Sequence, residues 1–181
     1  MPELTLAERL RTGHVKRWQI VRVAREQTLA EHLYLVRVIV LAIAEAAGFT
    51  PEETRLAEQW ALEHDVPELK TGDLATPFKA MMREAIPHDD PIRRIELGLS
   101  DSYAELYAEV KKQDPVRCLV KMADLIEAVH FLSIEGLGTH AKEVQLRLWS
   151  ALGTLLDKSV ERHQGYDWKA VFAVARKLTG A

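Results

Sequence analysis

Residues 28–65 read TLAEHLYLVRVIVLAIAEAAGFTPEETRLAEQWALEHD, and this stretch decides the fold class. Thr28 and Glu31 have the T-x-x-E form of a capping box, which predicts a helix over residues 29–47 that Gly48 terminates. Thr50-Pro51-Glu52-Glu53 repeats the box with proline at the first helical position, so a second helix runs through Leu56, Trp60 and Ala61 to about His64. A turn as short as Gly48-Phe49-Thr50 packs the two antiparallel. His32 lies 16 residues before Gly48 and His64 lies 16 after it. At about 1.5 Å per residue both histidines stand about 24 Å from the turn, level with each other across the hairpin.

Outward from the hairpin the same punctuation recurs. Thr76-Pro77, Asp90-Pro91 and Asp114-Pro115 each pair a candidate N-cap with a proline and predict three more helix starts. Segments 139–162 and 167–178 are amphipathic, with Leu146, Trp149, Leu152 and Leu156 spaced for one face. Strand signals are nearly absent. The expectation is an all-α chain, one domain over residues 1–181, with six to eight helices. At 181 residues such a chain buries roughly 70% of its unfolded surface.

Composition narrows the function classes. Hydrophobic residues are 48% and charged residues 28%, an ordinary balance that argues against disorder. A net charge of −3 with interspersed signs leaves no long basic face, which excludes tight nonspecific nucleic-acid binding. The single cysteine, Cys118, lies among apolar helical neighbours and reads as an inert core residue. The start MPELTLAERLRTG lacks a signal-peptide layout, and VIVLAIAEAAG is too short to span a bilayer. No membrane association is expected, and the expected location is the cytoplasm, or the host cytoplasm for a phage-encoded protein.

The helices bring four polar residues together. His64-Asp65 ends the second helix, His32 faces it, and a third helix starting near Asp114 carries Asp124 inside the apolar run LVKMADLIEAV. A carboxylate on an apolar stripe is costly to bury unless it is paired or bound to metal. Two imidazoles and two carboxylates form a mixed N/O set that suits a divalent Mn, Fe, Co, Ni or Zn ion. Without thiolates, and with spare coordination positions, such a site is catalytic in style.

These residues resemble the HD-domain metal-dependent phosphohydrolases, most closely the small 5′-deoxynucleotidase (YfbR-like) branch and the related phage dATP triphosphohydrolases. The likeness is carried by RWQIVR at 17–22, TLAEHLYLV at 28–36, HDVPELKTGDLATPFK at 64–79 and LVKMADLIEA at 119–128. The resemblance implies that His32, His64, Asp65 and Asp124 ligate one divalent metal, with a second divalent ion accompanying the substrate phosphates. It implies a catalytic Glu68, and it places Asp73 near the substrate or its leaving oxygen, although Thr71-Gly72-Asp73 alone reads as a turn. Arg17, Lys79 and Lys121 become the candidates for neutralising phosphate; Lys121, three residues before Asp124 on one helical face, is expected to point toward the metal. Trp18 would pack against the sugar and Ile20 would line the base pocket, or both are core residues. Thr76-Pro77 opens a helix whose N-terminus can favour an anion.

The implied reaction is hydrolysis of the 5′ α-phosphate ester of a 2′-deoxynucleotide, releasing the deoxynucleoside. A triphosphate and a monophosphate substrate involve the same attack, so the motifs do not choose between them. The rival expectations are an HD phosphodiesterase or alarmone hydrolase, and a non-catalytic helical module pinned by a metal. Surplus apolar faces on 139–178 hint at a homo-oligomer.

Overall fold

A computed structural model describes residues 3–180. Thr5 caps a short turn, α1 (Leu6–Arg9), which continues as a 3-10 turn over Leu10–His14. Helices α2 (Leu29–Ala47) and α3 (Pro51–Glu63) follow, then the one-turn α4 (Glu68–Thr71). After these come α5 (Thr76–Ala85), α6 (Pro91–Leu97), α7 (Asp101–Lys112), α8 (Asp114–Glu135), α9 (Gly138–Arg162) and α10 (Trp168–Thr179). Eight helices of seven residues or more are thus present among the described residues, with no strand beyond two isolated bridges.

Capping explains most of the boundaries. The Thr28 hydroxyl accepts from Glu31 N–H, and Gly48 closes α2 at φ 77°, a left-handed conformation that glycine adopts without a Cβ penalty. Thr50 and Glu53 form the full reciprocal box on α3. Two expected caps are displaced. Thr76 and Asp114 lie inside the first turns of α5 and α8, behind Ala75 and Gln113, and neither helix has a side-chain cap. The Asp114 carboxylate instead accepts from Arg117 and is paired with His163 at the end of α9. His163, just past the end of α9, therefore ties that helix to the first turn of α8 through Asp114. Cys118 packs half-buried beside that pair, and burial pushes its thiol pKa up.

Helix α8 is the spine. It packs on α2, α3 and α9, and α10 returns across α2 and α8. Val36, Ile43, Trp60, Met122, Ile126 and Leu152 form the centre of the core. Each such side chain, fully buried, contributes about 1.5–3 kcal/mol. The hairpin turn is closed by an aromatic group in which Phe49 stacks on Tyr166 at 4.2 Å and meets Trp168 edge-on.

The α8–α9 junction also anchors the segment before α2. Ala24 N–H donates to Glu135 O at 2.7 Å, and Leu137 N–H donates to Arg22 O at 3.0 Å. A Cβ on Gly136 would stand 2.5 Å from the Leu132 carbonyl oxygen and 3.2 Å from Ala141 Cβ. Gly136→Ala is therefore expected to destabilise the fold by about 1–3 kcal/mol, measured as a lowered urea midpoint.

Candidate active site

The site forms at the open end of the α2–α3 hairpin, away from the turn. His32 lies in the first turn of α2 with no exposed surface, His64 caps α3, Asp65 follows it, and Asp124 comes from the middle of α8. His32, His64 and Asp124 each offer a ligand atom within 4.8 Å of the others. Asp124 Oδ1 is 3.4 Å from His32 Nε2, and Asp65 Oδ2 is 3.5 Å from His64 Nε2 and 3.7 Å from His32 Nε2.

Hydrogen bonding to the far nitrogens sets the tautomers. His64 Nδ1 lies 2.9 Å from the Ala61 carbonyl oxygen, which can only accept, so Nδ1 carries the hydrogen. His32 Nδ1 lies 2.7 Å from Glu127 Oε2 and is held likewise. Both Nε2 atoms are buried without a hydrogen-bond partner. Two ligands about 2.1 Å from a tetrahedral cation would be about 3.4 Å apart. The observed separations of 3.4–3.7 Å therefore fit a shared divalent ion.

The charges are organised for the same purpose. Burial works against the charge on Asp124, yet Lys121, His32 and His64 hold its pKa well below the usual range. Burial depresses the His64 pKa, which favours the neutral ring that a metal requires. Arg17 is largely buried, but Asp124, Glu127, Asp65 and Asp73 keep its pKa raised, and its Nε lacks a partner. Glu68, 3% exposed, has its pKa pushed up to about 9, first by burial and then by Asp65. It accepts from Lys79 Nζ at 2.9 Å, while its other oxygen is buried and unpartnered.

The remaining sequence candidates are placed unevenly. Lys121 Nζ donates to Asp124 Oδ2 at 2.6 Å, although most of its side chain is exposed. Asp73 follows α4 near Arg17, Glu68 and Lys79. Trp18 is partly buried, stacks on Phe131 with ring planes 2° apart, and adopts φ 65°, a region rarely used by non-glycine residues. Ile20 is 56% exposed and so is not a core residue. Thr76 and Pro77 form the exposed start of α5, with no bond to the metal-ligand candidates.

Sequence reasoning missed Gln27, Glu127, Arg93 and Tyr103. Tyr103 Oη donates to the His64 carbonyl oxygen at 3.1 Å, and Arg93 donates to Tyr103 Oη at 3.2 Å. A second carboxylate three residues after Asp124 in DLIEAV was a usable signal for Glu127. Gln27 and Tyr103 are defined by partners remote in sequence, 100 and 39 residues away.

The family model described as 5′-deoxynucleotidase YfbR-like matches residues 4–145. The chain belongs to the YfbR-like family. A dATP triphosphohydrolase of Cyanophage S-2L is 37% identical over 84% of this chain and 83% of its own length. The 5′-deoxynucleotidase YfbR of Escherichia coli is 29% identical over 62% of each chain. Among solved structures, a Cyanophage S-2L HD phosphohydrolase bound to dA and one catalytic Zn2+ ion superposes with a TM-score of 0.82 and 32% identity, covering 99% of this chain and 100% of that one. The YfbR-like chain thus has the HD phosphohydrolase fold. Among its described residues no helix is long and apolar enough to cross a membrane.

Proposed function

We propose that this YfbR-like protein is a metal-dependent phosphohydrolase that cleaves the 5′ α-phosphate ester of 2′-deoxynucleotides, with dATP as the leading substrate and deoxyadenosine and triphosphate as products. The observation that carries this reading is the pair of buried, unpartnered His32 and His64 Nε2 atoms facing Asp65 and Asp124. These four residues would hold one divalent transition metal. The bound cation supplies Lewis acidity toward the α-phosphoryl group and the attacking water.

The chain's own groups do the rest. Glu68, with Asp65 beside it, orients the attacking water and, once ionised against Lys79, takes up its proton. Arg17, Lys79 and Lys121 neutralise phosphoryl oxygens, and Arg17 is held in place by the surrounding carboxylates. The α-phosphorus to O5′ bond breaks, its electron pair leaves on O5′, and that oxygen gains a proton as the deoxynucleoside departs. Asp73 and the Thr76–Pro77 turn lie on the side of the leaving group and polyphosphate. Trp18 packs against the sugar, where close contact rejects a 2′-hydroxyl, and exposed Ile20 covers the base.

Triphosphate is favoured by the longer and closer match to the Cyanophage S-2L relative. Release of phosphate from dAMP is the second reading, favoured by the family model itself. Zinc-, cobalt- or manganese-loaded protein incubated with dATP, dAMP, the other deoxynucleotides and ATP separates the two by the products formed. In H2(18)O the label should enter the inorganic product, with deoxyadenosine unlabelled and ATP untouched. No nucleoside from any substrate would overturn the assignment. Exposed Leu146, Val160 and Leu178 on α9 and α10 support self-association, which light scattering on the eluting protein would read as a mass above 20.5 kDa.

A further inference from the structure

An unbroken buried hydrogen-bond chain joins the Trp18 indole to the His32 imidazole. Trp18 Nε1–H donates to Gln27 Oε1 at 2.8 Å, and Gln27 Nε2 donates to Glu127 Oε1 at 2.5 Å. Glu127 Oε2 accepts from His32 Nδ1 at 2.7 Å and from Arg17 Nη1 at 3.4 Å. Gln27 and His32 have no exposed surface and Glu127 has 1%, so solvent does not substitute for a link.

The chain has only one direction. An indole nitrogen can only donate, so Gln27 must present its oxygen to Trp18 and its amide hydrogens to Glu127. Flipping the Gln27 amide would set donor against donor at one end and acceptor against acceptor at the other. Glu127 Oε1 thereby accepts from Gln27, Oε2 accepts from the donor-only Arg17 and from His32 Nδ1, and His32 Nε2 is left turned toward Asp124 for a cation. The same residues hold the backbone, since Arg17 N–H donates to Gln27 O at 3.0 Å. Trp18, in its left-handed conformation, depends on this tether and on its stack with Phe131.

We propose that Gln27 and Glu127 are positioning residues that couple nucleoside binding at Trp18 to cation binding at His32. The proposal rests on the reading above, in which Trp18 faces the sugar and His32 holds the cation. Ordering either end orders the other, so each ligand tightens its partner by the same factor.

The test uses binding, not turnover. Zinc affinity is measured by competition with a chromophoric chelator, and deoxyadenosine affinity by calorimetry with and without zinc. In the wild type, zinc should tighten deoxyadenosine about 5–150-fold. Gln27→Met, similar in length but unable to form either bond, should bring that factor to within about twofold of unity while each ligand still binds alone. Trp18→Phe keeps a ring on Phe131 and lacks the N–H; it should weaken deoxyadenosine through the altered sugar contact, and should do so until the factor between zinc-loaded and zinc-free protein is within about twofold of unity. Glu127→Gln should weaken zinc about 10–100-fold. Should Gln27→Met not fold, Trp18→Phe and Glu127→Gln decide the matter by the same criteria. Wild-type protein that binds both ligands without coupling, or coupling that survives in the variants, overturns the proposal alone. Wild-type protein that binds neither zinc nor deoxyadenosine overturns the functional reading, and the proposal with it.

Discussion

Glu68→Gln should lower kcat by about 10²–10⁴-fold and, in metal-free protein at pH 7, raise the stability of the fold. The loss of rate follows from removing the base beside the attacking water. The gain follows from burial and Asp65, which push the Glu68 pKa from its reference value of 4.5 to about 9. A carboxyl whose folded pKa lies above its unfolded value contributes its full stability below about pH 4.5. That contribution is lost as pH rises toward about 9, because the unfolded chain ionises more readily. At pH 7 the resulting loss of stability is of order 1–3 kcal/mol, the Lys79 contact being already contained in the raised pKa, and glutamine removes it. Urea titrations of both proteins at pH 5, 7 and 8.5 check the sign: the wild type should weaken across the series relative to Glu68→Gln. Zinc should narrow the gap by supplying the positive charge that the ionised pair lacks. Equal pH profiles would show that Glu68 is not under electrostatic load.

The second large effect concerns the cation. Asp65→Asn and prolonged chelation should each reduce turnover by at least about 10³-fold, because Lewis-acid stabilisation is worth several kcal/mol and each 1.36 kcal/mol is a decade in rate. Zinc restores the chelated wild type but not the variant. Asparagine keeps the shape and loses the charge that faces both histidine Nε2 atoms at 3.5 and 3.7 Å. The melting temperature distinguishes a lost ligand from a lost fold. Wild-type protein should melt higher with zinc in excess, by the equivalent of about 2.7 kcal/mol at a hundredfold excess over Kd, and Asp65→Asn should gain far less. A variant that keeps both its zinc shift and its turnover would remove Asp65 from the metal set.

Much of this was legible in the chain because the signals are local. Helix α2 spans Leu29–Ala47 as its Thr28 and Gly48 punctuation indicated, and the equal spacing of His32 and His64 about Gly48 placed the two rings level. Asp124 stood out as a charge in an apolar run. What was misread or missed lay in helix boundaries and in partners that no local pattern marks. Thr76 looks like an N-cap in sequence, but the backbone begins α5 one residue earlier. Asp114 looks like a cap and is drawn instead to Arg117 and to His163, 49 residues away. Gln27 carries no periodicity and belongs to no motif. Its importance comes from Glu127, 100 residues downstream, and only the packing of α8 on α2 brings them into contact. Lys121 was expected to point at the metal. Its amine does reach Asp124, but the stem runs along the surface.

The closed end of the α2–α3 hairpin has a bearing on how such a cleft can exist. Phe49, Tyr166 and Trp168 interlock where α2 turns into α3, about 24 Å along the helices from a cluster of mutually repelling acids. One extremity of the molecule is thus held by aromatic contact, to which Tyr166 adds a hydrogen bond to Glu53, while the other remains under tension until a cation relieves it. Chelators should therefore loosen the protein from the site's side, with hydrogen exchange quickening first around His64 and last around Phe49.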